Sequence, residues 1–129
     1  MFHSIDHLNL TVSSLDASER FYEALFDFRP VESGTWKGRP WRILRSADSM
    51  LCLYEGEPGS GGPLGHVGFR LGDDGAGFPR RLAELGIPIK YGEAFRRPHS
   101  LSWYIDDPDD NEIEVTLWDD GQVSFDGLA

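Results

Sequence analysis

Two histidines and one glutamate are the residues of this chain whose types and positions could perform metal chemistry. When the stretch DHLNLTV is laid over GHVGFRL, His7 coincides with His66. Residues 41–56 also align without a gap on residues 103–118, and Glu114 lies towards the end of the second segment. A histidine repeated at one position of two copies, with a carboxylate in one of them, indicates a site on the pseudo-twofold axis of a duplicated module.

Strand alternation predicts that these side chains share the polar faces of their strands. His7 and His66 alternate with apolar residues in the first strand of each copy, and Glu114 does so in the last strand, beside Glu112 and Thr116. If these faces are concave, the two imidazoles and one carboxylate converge and suit Fe(II), Mn(II), Ni(II) or Zn(II). Taken singly, each would more simply be an ordinary strand residue, so the repeat is what favours a metal site.

The hydrophobic periodicity predicts the order βαβββ twice within a single domain, 1–129. For module one, about 4–55, it predicts a strand at 5–12, a helix from the Ser13 start signal to about Phe26, and strands near 28–33, 40–46 and 49–55. A linker, 56–64, and a tail, 119–129, flank module two, about 65–118. That module is predicted to contain a strand at 65–71, a helix at about 76–85, and strands near 87–92, 101–106 and 111–118.

Composition restricts the classes of partner. The 129 residues carry a formal charge of −10, which excludes nucleic acid because phosphate binding needs a basic stripe. The charge favours a cationic ligand, or simply solubility. The sequence contains neither an 18-residue apolar run nor a signal-peptide pattern, so we expect no membrane partner. The single cysteine, Cys52, cannot form an internal disulfide, which is typical of a cytoplasmic protein.

Two segments resemble one family. DHLNLTVSSLDASERFYEALFDFRPV is similar to the opening module of the vicinal-oxygen-chelate superfamily, which contains glyoxalase I, extradiol dioxygenases, fosfomycin-resistance enzymes and bleomycin-resistance proteins. YIDDPDDNEIEV resembles its closing segment, in which an aromatic residue and Asp-Pro-Asp-Gly-Asn precede an acidic metal ligand. The resemblance covers about residues 4–118. It implies an α+β fold of two tandem βαβββ modules forming an open, partly closed mixed β-barrel around a central cleft, with metal ligands at His7, His66 and Glu114.

The chain departs from the family pattern at two positions. Glyoxalase I has a fourth, acidic ligand where this chain has Cys52, so a site of three ligands is expected. A thiolate could bind a soft metal, but a buried cysteine is more often a small apolar residue. The family normally has a turn glycine where this chain has Asp110. Aspartate tolerates a positive φ better than most residues, and we expect the turn to survive.

Further candidates surround the expected ligands. Tyr104 lies ten residues before Glu114, where the resemblance implies a tyrosine beside the metal. The alignment matches Arg42 to Tyr104 and so would place its guanidinium across the cleft. His99 lies close to where ring-cleaving dioxygenases have an acid–base histidine, although it is nearer to the tyrosine. The expected catalytic residues are Tyr104 and His99, and the expected substrate-binding residues are Arg42, Asn9, Ser102 and Trp103.

Three functions remain open from the sequence. The first is a metal-dependent enzyme that chelates a small substrate through vicinal oxygens, with a slight preference for extradiol-dioxygenase-like chemistry. The second is a metal-free binding protein of the bleomycin-resistance type, which would hold a cationic drug against Trp36, Trp41 and Trp103. The third is a fosfomycin-resistance-type transferase or hydrolase. For the third, VTLWDDGQVSFDG lacks the basic residue expected there, and the basic residues near 90–97 would more simply form a solvated loop.

The resemblance and the exposed sheet edges also predict a homodimer. The nine-residue linker GEPGSGGPL spans up to about 30 Å when extended, so the modules could close a cleft within one chain or exchange between two. We expect exchange, with His7 from one chain and His66 and Glu114 from the other.

Overall fold

The computed structural model describes residues 7–57 and 66–124, which belong to two compact units, Met1–Gly62 and Pro63–Ala129. The predicted start of module one before His7, most of the predicted linker and the end of the tail lie outside the described residues. Each unit contains one four-stranded mixed sheet and one α-helix, which makes the fold α+β as predicted. None of the helices in the described ranges is long and apolar enough to cross a membrane.

Unit one contains five elements that follow the predicted order. They are β1 (Leu8–Val12), α1 (Leu15–Phe26), β2 (Arg29–Trp36), β3 (Arg39–Ser46) and β4 (Ser49–Glu55). The sheet order is β1-β4-β3-β2, in which β1 runs parallel to β4 and the other neighbours are antiparallel. The first strand of the module therefore lies directly beside the last.

Helix α1 begins one residue later than predicted. Its N-cap is Ser14, whose hydroxyl accepts the Ala17 N–H at 3.1 Å, and the Glu55 carboxylate accepts the Leu15 N–H at 3.1 Å. Asp27 ends the helix in the left-handed conformation, with φ of 58°.

The buried stripe of α1 differs from the predicted one. We expected the apolar face to consist of Ala17, Phe21, Ala24 and Leu25. The buried residues are Leu15, Ser18 and Tyr22, which follow the helical spacing i, i+3, i+7 from the first residue of the helix. The tyrosine ring is large enough to fill the space below Phe28, which it meets edge-on at 6.1 Å, and Ser18 is small enough to let the helix approach the sheet.

Unit two repeats the arrangement with shorter elements. Its strands and helix are β5 (Val67–Arg70), α2 (Phe78–Leu85), β6 (Phe95–Arg97), β7 (Ser100–Asp106) and β8 (Glu112–Trp118). The sheet order β5-β8-β7-β6 matches that of unit one, with β5 parallel to β8. The helix begins with Pro79 in its first turn and ends at Gly86, which has a φ of 69°.

The predicted strand at 87–92 is wrong. Lys90–Gly92 forms a short 3-10 turn, and the second strand of the module is the three-residue β6 further along the chain. Tyr91 and Gly92 have φ values of 62° and 79°, and two consecutive left-handed residues cannot continue an extended strand. The turn changes the direction of the chain before β6 pairs with β7.

The turn between β7 and β8 is built around one buried carboxylate. Asp107 is 4% exposed, and its Oδ1 accepts the N–H groups of Asp109 and Asn111, each at 2.9 Å, while its Oδ2 accepts from Asn111 Nδ2. Asp110 has a φ of 62°, so the turn survives without its glycine, as expected. The result is a fixed register in which Tyr104 lies opposite Glu114.

We predict that Asp107→Ala lowers the free energy of unfolding by about 2 kcal/mol, because two partly buried turn N–H groups lose their acceptor. Denaturant unfolding of the purified variant measures this change. Asp48→Ala is the matched control in the β3–β4 turn, where the side chain is fully exposed, and its effect should stay within about 0.5 kcal/mol. Equal losses in the two variants would show that the Asp107 hydrogen bonds do not stabilise the turn.

Candidate functional site

The centre of the site is a contact between an imidazole and a carboxylate in unit two. His66 immediately precedes β5, and Glu114 lies in the middle of β8 opposite Gly68 in the parallel register. Because both side chains project from the polar face of the sheet, His66 Nε2 lies 3.2 Å from Glu114 Oε1. The side chains are 42% and 21% exposed, so both remain open to a ligand.

Three hydroxyl groups fix the orientation of Glu114. Ser102 Oγ donates to Oε2 at 2.9 Å, Thr116 Oγ1 donates to the same oxygen at 3.2 Å, and Tyr104 OH donates to Oε1 at 3.0 Å. Burial raises the pKa of Glu114, but these hydrogen bonds and the neighbouring His66 outweigh it, and the pKa is lowered overall. The carboxylate is therefore ionised at neutral pH and available as a ligand.

Tyr104 acts as a donor at this site. Burial, followed by its hydrogen bond to Glu114, raises the pKa of the phenol above its ordinary value. The ring of Tyr104 meets the His66 ring edge-on, with 5.8 Å between the centroids. At neutral pH the phenol keeps its proton and points it at the carboxylate.

These groups open into a pocket of about 500 Å³. Its lining residues are His66, Tyr91, Phe95, Arg96, Arg97, Ser102, Tyr104, Glu112 and Glu114. The volume is within the range of pockets for small molecules. The sequence analysis selected four of these residues as site residues, and the structure brings all four together in one unit.

Glu112 shares the face of Glu114 but is engaged differently. Lys90 Nζ contacts Glu112 Oε2 at 2.7 Å and Asp106 Oδ1 at 2.8 Å, and Tyr91 OH donates to Glu112 Oε2 at 2.6 Å. The hydrogen bonds from Lys90 and Tyr91 lower the pKa of Glu112. Alternation in the sequence could not distinguish the roles of the two glutamates. The structure shows that the Glu112 carboxylate already accepts hydrogen bonds from the Lys90 ammonium and the Tyr91 phenol.

The expected equivalence of Arg42 and Tyr104 is wrong by one residue. The sheet register pairs Cys52 with Ile43 and Glu114 with Tyr104, so the counterpart of the tyrosine is Ile43. Tyr104 precedes its partner Glu114 by ten residues, whereas Ile43 precedes its partner Cys52 by nine, and an alignment without a gap cannot represent this difference. Arg42 instead lies on the helix side of its sheet, where its Nη1 contacts Asp16 at 3.1 Å and Glu19 at 3.3 Å.

Two other expected site residues lie away from the pocket. Trp103 is 5% exposed and packs against Phe78 of α2, with 5.7 Å between the ring centroids. His99 lies in the turn between β6 and β7, where its carbonyl accepts the Asp119 N–H at 2.9 Å. Neither residue lines the pocket of unit two. Trp103 is adjacent to Tyr104 in β7, so its side chain lies on the opposite face of the strand, towards the core.

The remaining candidates belong to unit one. His7 is exposed and directly precedes β1, as His66 precedes β5, and Asn9 is exposed in β1 opposite Cys52. Cys52 is a free thiol, and burial raises its pKa while the hydrogen bond with Tyr54 opposes this effect. A thiol of raised pKa remains protonated at neutral pH and is a poor ligand. Within either unit, the described residues contain no group of three or more His, Cys, Asp or Glu side chains that could hold a metal ion.

The sequence analysis missed the aromatic residues of the pocket. Tyr91 and Phe95 were not selected, because one lies in the 3-10 turn that was predicted as a strand and the other in a strand of three residues. The sequence F-R-R before a turn could have indicated these residues, because alternation along a short strand places Phe95 and Arg97 on one face.

A comparison with protein-family models identifies the family of this chain. The family model described as Glyoxalase/Bleomycin resistance protein/Dioxygenase superfamily matches residues 4–115. The chain belongs to this superfamily. This confirms the vicinal-oxygen-chelate resemblance inferred from the opening and closing segments. A comparison with curated proteins found no match to this chain.

Several solved structures share the fold. A glyoxylase/bleomycin resistance protein/dioxygenase domain from Frankia sp. EAN1pec is 22% identical, with a TM-score of 0.77, covering 95% of this chain and 96% of that chain. A mutant of the fosfomycin resistance protein FosX from Listeria monocytogenes, complexed with Mn(II) and 1S,2S-dihydroxypropylphosphonic acid, is 21% identical, with a TM-score of 0.73 and coverage of 89% and 90%. The virulence protein STM3117 from Salmonella typhimurium is 29% identical, with a TM-score of 0.68 and coverage of 92% and 98%.

We predict that Tyr104→Phe raises the pKa of Glu114 in the metal-free protein, because the carboxylate loses a donor that stabilises its charged form. Carboxyl NMR titration measures the change. A depressed carboxyl pKa stabilises the fold above the ordinary carboxyl range, and this stability is lost as pH falls through the folded-state pKa. In the variant this loss should therefore be smaller and should be complete at a higher pH.

The matched control is Tyr91→Phe, which removes the phenol that donates to Glu112. It should raise the pKa of Glu112 and leave that of Glu114 unchanged. If both variants moved both carboxyl groups equally, the two hydrogen-bond networks would not be separate.

Proposed function

We propose that this chain is a divalent-metal-dependent enzyme that binds a small oxygenated substrate through two neighbouring oxygens. The observation that carries the proposal is the His66–Glu114 contact at 3.2 Å, at one end of a small-molecule pocket. An imidazole and an oriented, ionised carboxylate in a pocket are the donor set that divalent transition metals prefer. Membership of the superfamily agrees with enzymatic activity.

The residues present fit a metal ion. His66 and Glu114 would supply two ligands, and the repeat nominates His7 as the third, because it precedes β1 as His66 precedes β5. Ser102, Tyr104 and Thr116 hold the carboxylate in place, as hydrogen-bond partners of metal ligands usually do. The metal would act as a Lewis acid towards substrate oxygens.

The protein groups around the ligands have separate tasks. Tyr104 keeps a proton on its phenol and can donate it to a substrate oxygen that approaches Glu114. Lys90 pairs with Glu112 at 2.7 Å, so that this second carboxylate is not free to act as a metal ligand. Tyr91 and Phe95 add aromatic surface to the lining of the pocket.

The dioxygenase-like reaction is the weaker form of the proposal. The preference for it was based on the ligand triad with Tyr104 and on His99 nearby, and His99 lies in the β6–β7 turn and does not line the pocket. A metal-free protein that sequesters a cationic drug is also less well supported. Arg97 lines the pocket with a positive charge, and Trp103, one of the rings expected to hold such a drug, is buried against Phe78.

We predict that Glu114→Gln lowers the affinity for Mn(II) at least about tenfold while the fold persists, because the neutral amide no longer balances the charge of the metal. Titration calorimetry with Mn(II), repeated with Fe(II), Ni(II) and Zn(II), measures this change, and circular dichroism checks the fold.

Glu112→Gln is the matched control, since it removes the same charge two residues away on the same face of β8. Its affinity for metal should remain within about threefold of that of the parent protein. Equal losses in the two variants would contradict the assignment of Glu114 as the ligand. A parent protein that binds none of the four metals would overturn the proposed function.

A fosfomycin-resistance-type reaction is the second candidate. It is favoured by the Ser102–Glu114–Tyr104 arrangement beside His66 and by the fold shared with FosX. Incubation of the Mn(II)-loaded protein with fosfomycin and either water or a thiol, followed by phosphorus NMR, tests it. Ring opening that disappears in Glu114→Gln would support this reaction, whereas unchanged fosfomycin would exclude it and leave the broader proposal standing.

A further inference from the structure

The positive side chains at the pocket differ in whether their charge is already paired. Lys90 pairs with Asp106 and Glu112, and Arg96 forms a two-pronged contact with Asp119 at 3.0 and 3.1 Å. Arg97 also lines the pocket, yet within residues 7–57 and 66–124 it forms no ion pair with a carboxylate. It is therefore the cation of the described pocket whose charge remains available to a ligand.

The strand register directs Arg97 to the pocket face. In the pairing of β6 with β7, Phe95 lies opposite Ser102 and Arg97 lies opposite Ser100. Side chains two residues apart on a strand share a face, so Arg97 projects on the same side as Phe95. Phe95 in turn meets the Tyr104 ring edge-on, with 5.6 Å between the centroids.

An aromatic surface lies between Arg97 and the candidate metal ligands. Tyr91, Phe95 and Tyr104 contact one another edge-on, with centroid distances of 5.6, 5.6 and 6.1 Å. Tyr91 and Phe95 nevertheless remain 61% and 42% exposed. Exposed aromatic rings grouped in a pocket are suited to packing against a flat, apolar part of a ligand.

The two ends of the pocket are separated by a distance that suits a small molecule. Arg97 and Glu114 lie two strands apart, which is about 10 Å across the sheet. Their partners on β7, Ser100 and Tyr104, are four residues apart, which is about 13 Å along the strand. Both side chains line the same pocket. The pocket volume of about 500 Å³ matches a ligand of this size.

We propose that Arg97 makes this pocket selective for a small organic molecule that carries an oxyanion next to a flat apolar portion. The guanidinium binds the oxyanion, the Tyr91–Phe95–Tyr104 surface contacts the flat portion, and the opposite end of the molecule reaches His66 and Glu114. A guanidinium pairs well with carboxylate and with phosphonate, since both present two oxygens in one plane. This inference rests on the proposed function, because it names the substrate class of the same site.

Ligand titrations of the metal-free protein, followed by NMR, test the inference without requiring metal or turnover. The probes are benzoate, phenylphosphonate, benzylammonium and acetate. We expect one or both aromatic anions to bind at least about tenfold more tightly than benzylammonium, which has the opposite charge, and than acetate, which lacks the ring. The ratio of benzoate to phenylphosphonate affinity identifies the preferred oxyanion.

Arg97→Gln should weaken the preferred aromatic anion at least about tenfold, and Arg97→Lys should weaken it less, because the charge remains but the two-pronged contact is lost. Arg80→Gln, on the exposed surface of α2, removes the same net charge and should leave the affinity unchanged. Equal losses in Arg97→Gln and Arg80→Gln would overturn the inference, as would benzylammonium binding as tightly as both anions. Acetate binding as tightly as benzoate would overturn the role of the aromatic surface.

Metal titration of Arg97→Gln separates this inference from the proposed function. We expect the variant to bind Mn(II) as the parent protein does, because Arg97 lies at the opposite end of the pocket from His66 and Glu114. If the parent protein binds anions through Arg97 but binds no metal, the proposed function fails and the anion site stands. If the parent protein binds metal but Arg97→Gln leaves the anion affinity unchanged, the anion site is overturned and the proposed function stands.

Discussion

The position of the Glu114 carboxylate determines the rest of the site. Its charge is partly removed from water, and such a group requires hydrogen-bond donors to remain ionised. Ser102 and Tyr104 on β7 and Thr116 on β8 supply these donors, and His66 completes the surroundings. All of these groups depend on β8 lying between β5 and β7, an arrangement that follows from the parallel pairing of the first and last strands of the module.

The chain keeps other charges from disturbing this carboxylate. Glu112 has the same orientation on β8, and an unpaired second carboxylate would compete for the same cation. Lys90 and Tyr91 engage Glu112, and the hydrogen bonds to Asp106 and then Glu112 raise the pKa of the Lys90 ammonium, which keeps it charged. The unusual backbone of the 90–92 turn, with a φ of 62° at Tyr91, positions both groups. Local strain in this turn thus accompanies a specific arrangement of charges.

The two units use equivalent sheet positions in different ways. Where unit two pairs Tyr104 with Glu114 and Ser102 with Thr116, unit one pairs Ile43 with Cys52 and Trp41 with Tyr54. The large Trp41 side chain also lies against Gly34 on the neighbouring strand, where a Cβ atom would approach it to 2.6 Å. Apolar and aromatic residues therefore replace the carboxylate and its hydroxyl donors. The duplication preserved the backbone pairing of each sheet, while the polar chemistry is concentrated in unit two.

The sequence by itself determined the order of the elements, the α+β class, the superfamily and the pairing of His66 with Glu114 on one face. These follow from periodicity and repetition, which are local properties of the chain. The tertiary structure decided that Ile43, and not Arg42, corresponds to Tyr104, because a single extra residue in a turn shifts the register of a strand. It also decided which glutamate is already paired and which arginine keeps its charge available. Such pairings join residues that are distant in sequence, so no local pattern contains them.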